Sequence, residues 1–217
     1  GLSANAQLTD GTVYWIQDAA TGQFITRGGH WGTRAVAEDV GGVGFKAEYI
    51  SDGVYKLQTV DRTLAGNTAY FGTGMYIDQN TETAWSITAS GEGYTISSGT
   101  QYLNISGKSN QQNQVSLVAA GEAAVWKFLT RSEYKAALAA KKNAEAVALA
   151  TTMGLDGITT LSELESEIAG EDYVTVDQTS KMTNSAMDGD SDHNLDGWTK
   201  SDPGSPRGNG SPYGNGG

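Results

Sequence analysis

The residues best equipped for chemistry in this chain are large aromatics and amides set in glycine-rich stretches. His30-Trp31 follows Gly28-Gly29, and Tyr70-Phe71 precedes Gly72-Thr73-Gly74. An aromatic ring exposed on a loop stacks on the apolar face of a pyranose, and neighbouring carboxylates and amides bond the hydroxyls. Tyr76-Ile77-Asp78-Gln79-Asn80 supplies such groups, and Gln111-Gln112-Asn113-Gln114 supplies further amides. The candidate ligand-binding set is therefore His30, Trp31, Tyr70, Phe71, Asp78 and Asn80, with a glycan or polysaccharide as partner. The same residues admit a structural reading. Trp31 and Phe71 would then pack over the end of a barrel, and the Gln/Asn run would be a polar loop.

A second constellation suits a hard cation. Asp188-Gly189-Asp190-Ser191-Asp192-His193-Asn194 places side-chain oxygens at alternate positions, and Asp196 adds another. Calcium is the one cofactor for which this sequence offers a ligand set: Asp188, Asp190, Asp192, Asn194 and Asp196. The match to a helix-loop-helix calcium loop breaks at two places. His193 stands where the turn needs glycine, and Thr199 where a bidentate glutamate belongs. A solvated acidic loop is the other reading.

Composition removes most remaining chemistries. The chain has no cysteine, hence no disulfide, thiolate zinc site or cysteine nucleophile. Its two histidines, His30 and His193, lie in no nucleophile motif. Glu38, Asp39 and Asp78 are the carboxylates one would ask to serve a glycosidase, and nothing in their spacing marks them as a pair. A net charge of −11 argues against a nucleic-acid partner, since phosphate binding needs a basic footprint. No apolar run reaches the ~18 residues of a membrane span. The expectation is a protein that is not an enzyme.

The elements that position these residues repeat. Three strand openings, Val13-Tyr14-Trp15-Ile16, Val54-Tyr55-Lys56-Leu57 and Gly93-Tyr94-Thr95-Ile96, set their tyrosines 41 and 39 residues apart. Three closings, at Phe45, Trp85 and Trp126, are 40 and 41 apart. Each unit holds a second short strand: Gln23-Phe24-Ile25, Met75-Tyr76-Ile77 and Gln101-Tyr102-Leu103. Alternating apolar and polar residues in short runs, broken by glycine clusters, predict half-buried strands.

Three units of ~40 residues with several short strands and a closing aromatic resemble the β-trefoil, a closed barrel that hides its strand edges. The closings also resemble the Gln-x-Trp motif of ricin-type lectin domains. Trp85-Ser86-Ile87 and Trp126-Lys127-Phe128 keep the tryptophan, but Thr83 and Ala124 replace the glutamine and Phe45 replaces the first tryptophan. Thr21-Gly22-Gln23-Phe24-Ile25 with Trp31-Gly32-Thr33-Arg34-Ala35 is similar to modules of exported proteins from carbohydrate-degrading gut bacteria.

Beyond residue 130 the composition changes. Thr130-Arg131-Ser132-Glu133 is a capping box before an alanine-rich helix, with Gly154 as its C-terminal cap. Thr160-Leu161-Ser162-Glu163 repeats the signal, and Leu161, Leu164 and Ile168 form a stripe. Residues 171–217, with Asp172-Tyr173-Val174-Thr175-Val176-Asp177 and Leu195-Asp196-Gly197-Trp198, resemble the start of a galactose-binding-like β-sandwich; a flexible tail is the alternative. At the other end, Ala4-Asn5-Ala6 resembles the remnant of a secretory cleavage site and implies export, to the periplasm, cell surface or medium.

The expected architecture is mainly β: 1–10 a leader remnant, 11–130 a β-trefoil, 131–170 a helical hairpin, and 171–217 a partial sandwich or extended tail. The expected function is non-catalytic carbohydrate binding through trefoil loops. The alternative is a structural or protein-interaction spacer attached to a catalytic domain beyond residue 217, with further domains of the same polypeptide as partners.

Overall fold

Six strands pair in a path that returns to its own start. The computed structural model describes residues 7–64 and 66–170. In it β1 (Val13–Asp18) pairs β4 (Gly44–Ser51), β4 pairs β5 (Val54–Leu64), and β5 pairs β7 (Trp85–Ser90). Next β7 pairs β8 (Gly93–Ser98), β8 pairs β11 (Trp126–Leu129), and β11 pairs β1 again. Every pairing is antiparallel, so these six strands leave no open edge within the ring. Three hairpins branch from it: β2 (Phe24–Gly28) with β3 (Arg34–Glu38), the far part of β5 with β6 (Asn67–Tyr70), and β9 (Gln101–Ser109) with β10 (Gln112–Ala119).

The register explains the 40-residue spacing. Each opening tyrosine stands opposite a closing aromatic: Tyr14 against Phe45, Tyr55 against Trp85, and Tyr94 against Trp126. Phe45, Trp85 and Trp126 are fully buried in one apolar cluster with Ile16, Leu57, Ile96 and Leu103. Burying the two indoles requires a partner for each N–H. Trp85 Nε1 donates to the Phe71 carbonyl at 2.8 Å, and Trp126 Nε1 to the Leu103 carbonyl at 3.3 Å. At the tyrosine end, Phe128 meets Tyr14 and Tyr94 edge-on, at 5.8 and 5.4 Å between ring centres. The Tyr55 hydroxyl donates to the Leu8 carbonyl at 3.0 Å there.

One expected strand is corrected. Met75-Tyr76-Ile77 forms no ladder; it makes only single bridges, Tyr76 to Arg34 and Gln79 to Tyr70. The cause is the turn before it: Met75 sits at φ +63°, and its N–H donates back to the Gly72 carbonyl. The segment is then laid across β3, with Met75 O accepting from Ala35 N–H and Ile77 N–H donating to Thr33 O. The alternation survives the loss of the ladder. Met75 and Ile77 are buried, while Tyr76, Asp78 and Asn80 reach the surface.

Both predicted helices are present, α1 (Arg131–Met153) and α2 (Leu161–Gly170). The capping box forms as expected: Thr130 Oγ1 accepts from Glu133 N–H, and Glu133 reaches back to Thr130 N–H at 2.7 Å. Gly154 closes α1 in the left-handed conformation. The chain divides into two compact units, and α1 lies in the first, with the sheet, up to Leu161. Tyr134 lies flat on Trp15, 5.1 Å between centres, and edge-on to Phe24. Lys141 passes its ammonium over the Phe24 ring and donates to the carbonyls of Gly22 and Asp39. Among the described residues, no helix is long and apolar enough to cross a membrane.

Candidate functional site

The connection between β2 and β3 is a tight turn in which Gly32 N–H donates to the Gly29 carbonyl, and it carries Trp31 into solvent. Trp31 is 78% exposed, the most exposed large apolar side chain among the described residues. Its backbone is also in the left-handed region, φ +62°. For a bulky residue that conformation costs roughly 1–3 kcal/mol, so the surroundings must hold it. They do so through the chain on either side. Gly29 N–H donates to Gln112 Oε1 at 2.6 Å, and His30 N–H donates to Ser109 Oγ at 2.9 Å.

Beside this turn runs the Tyr76–Asn80 segment. His30 Nδ1 and Tyr76 Oη lie 2.9 Å apart, and the His30 ring is tilted against Trp31 at 4.9 Å. Below them Arg34 places its guanidinium 5.5 Å from the Tyr76 ring centre and donates to the Gly74 carbonyl at 3.1 Å. The result is an open cleft of about 440 Å³ lined by Trp31, Thr33, Tyr76, Asp78, Gln79 and Asn80. Gln79 Oε1 accepts from Gly74 N–H, which fixes the loop rather than facing a ligand. An aromatic platform thus faces the same space as a carboxylate and an amide.

Of the expected ligand-binding residues, the fold brings together His30, Trp31, Asp78 and Asn80. Two are corrected. Phe71 is fully buried between Phe45 and Trp85, with ring centres at 5.6 and 5.3 Å, and offers no face to a ligand. Tyr70 is buried as well; burial pushes its phenol up, with the Glu48 charge adding to the shift. The ammonium of Lys56 lies over the Tyr70 ring at 5.7 Å, occupying that side. Phe71 belongs to the apolar core, and Tyr70 lies at the buried end of β6.

Three of the four side chains in the Gln/Asn run, Gln112, Asn113 and Gln114, bond within the chain. Gln112 Nε2 donates to Glu38 Oε1, Asn113 Nδ2 to Gln23 Oε1, and Gln114 Nε2 to Ser116 Oγ. Tyr76 also lines the cleft, although it stands outside the expected ligand-binding set. Period-two spacing from Asp78 and Asn80 was the signal for it. The expected calcium ligands Asp188, Asp190, Asp192, Asn194 and Asp196 lie outside the described residues, as does the whole expected sandwich, 171–217.

A larger cavity of about 590 Å³ opens elsewhere, lined by residues including Asp18, Thr21, Asn104, Ile105 and Val125. Its polar groups serve their own turns. Asp18 Oδ2 accepts from Thr21 N–H and from the Thr21 hydroxyl, and Asn104 Nδ2 donates to the Glu122 carbonyl.

No protein-family model matches this chain, and no curated protein matches it. Among solved structures it is similar to the lysenin pore, at 18% identity and a TM-score of 0.46, over 59% of this chain and 49% of that one. It is also similar to lysenin in a complex with phosphocholine, at 18% identity and a TM-score of 0.44, over 55% of this chain and 44% of that one. The chain spans about half the length of these structures. Likenesses of this extent bear on neither ligand nor activity, and the mainly β architecture stands on the strand pairings themselves.

Proposed function

We propose that residues 11–130 form a β-trefoil that acts as a non-catalytic carbohydrate-binding module of an exported protein. Support for the trefoil comes from the closed ring of six strands, its three branching hairpins, and the tyrosine-aromatic pair that recurs three times. The glycan reading is carried by one observation: Trp31 is held out in a left-handed conformation over a cleft that also presents Tyr76, Asp78 and Asn80. A sugar ring would stack on the indole while Asp78 and Asn80 bond its hydroxyls.

The test is retention on an array of immobilised neutral and acidic glycans, read for the purified chain and for Trp31→Ala and Asp78→Ala. Loss of the stacking face is expected to weaken retention about tenfold, the equivalent of ~1.4 kcal/mol. Equal retention by all three proteins sinks the assignment of this cleft. Running the array with and without a chelator separates this site from residues 188–196. Retention at the Trp31 cleft is expected to survive calcium removal.

A further inference from the structure

Trp31 cannot hold its own position. It lies in a three-residue turn between Gly29 and Thr33, with a backbone conformation that bulky residues avoid. Two side chains from the β9–β10 hairpin, about 80 positions further along the sequence, close on that turn. Ser109 Oγ accepts from His30 N–H at 2.9 Å. Gln112 Oε1 accepts from Gly29 N–H at 2.6 Å, while its Nε2 donates to Glu38 Oε1 at 2.9 Å, at the base of the same β2–β3 hairpin. The two glycines make room for these contacts. A Cβ on Gly28 would run into the Gln112 amide, and one on Gly29 into Ser109.

We infer that Ser109 and Gln112 are positioning residues for Trp31, acting from a different hairpin and standing outside the cleft lining. Gln112 is thereby reassigned from a sugar-facing amide to a brace. It satisfies one backbone donor of the turn and ties it to the strand that follows. Ser109 satisfies the next donor. With both bonds made, the backbone leading into the left-handed residue is fixed, and with it the Cα–Cβ direction of the ring that lines the cleft beside Tyr76 and Asp78. The functional half of this inference rests on the glycan reading of the cleft; the structural half does not.

The experiment is a proton–nitrogen correlation spectrum of the labelled chain, in which each of the five tryptophans gives one indole peak. Trp31→Phe identifies the Trp31 peak by its loss. Ser109→Ala and Gln112→Ala are each expected to move that peak while the peaks of core residues Trp85 and Trp126 stay in place. Ser109→Thr, which keeps the hydroxyl, is expected to restore the position lost in Ser109→Ala. On the glycan array each alanine variant is expected to lower retention about fivefold, the scale of one hydrogen bond. A Trp31 peak unmoved by both variants overturns the inference, and so does a shift shared equally by the core indoles. Retention unchanged by Trp31→Ala removes the glycan reading alone, because the indole shifts still decide the positioning.

Discussion

At the scale of single residues, the sequence presents Trp31 and Phe71 alike: large rings next to glycines. The fold separates them by nearly the whole range of exposure. Phe71 follows the end of β6 directly and its N–H donates to the Leu57 carbonyl, so its ring is drawn into the barrel. Trp31 follows Gly29 at φ +57°, and the chain there has already left the hairpin ladder. The two rings therefore predict opposite phenotypes. Phe71→Ala empties a fully buried site and is expected to cost ~3–5 kcal/mol in urea unfolding. Trp31→Ala, removing an exposed ring, is expected to leave the unfolding midpoint nearly unchanged and to affect only glycan retention. Alternation was the better guide. Tyr76, Asp78 and Asn80 were readable as one face from spacing two, and that face lines the cleft. What spacing could not show was the turn at Met75, which carries that face across β3 to Trp31.

At the scale of elements, the most legible piece was α1, because both of its ends are signalled by local chemistry. Thr130 and Glu133 satisfy two of the first free N–H groups, and Gly154 satisfies the last carbonyls. Thr130→Ala is expected to cost ~1 kcal/mol, measured as a lower thermal midpoint with unchanged helix content at low temperature. Its attachment was not legible. An alanine-rich stretch gives no direction for Tyr134 or Lys141, and only the structure pairs them with Trp15 and Phe24. Lys141 serves as a clamp by donating to the carbonyls of Gly22 and Asp39, the first of which also accepts from Gln17 Nε2. Lys141→Met keeps the stem over Phe24 and removes both bonds. It is expected to raise hydrogen exchange along α1 while leaving exchange in β7 and β8 as it was.

At the scale of the whole molecule, the forty-residue period was legible because it is a property of pairing. Each closing aromatic pairs with the opening tyrosine of its own unit, so a similar length of chain recurs between them. The tyrosine end carries a testable consequence for pH. Burial pushes the Tyr55 and Tyr94 phenols above their ordinary value. The folded chain then holds those protons more tightly than the unfolded chain does. The resulting stability is complete below the ordinary phenol value of about 10 and is lost as pH rises through the folded values. Urea midpoints are expected to fall steeply on the alkaline side, together with the rise of phenolate absorbance. Tyr55→Phe is expected to flatten that limb.

The return of β11 to β1 has one more result. Leu129 stands opposite Trp15, and Trp126 opposite Asp18, so the strand that opens the ring and the strand that completes it lie side by side. A ring of this kind has a direction of travel but no required beginning. A cut at the exposed tip of Gly99-Thr100, between β8 and β9, would break the chain at a turn and leave every strand of the ring beside its present neighbours.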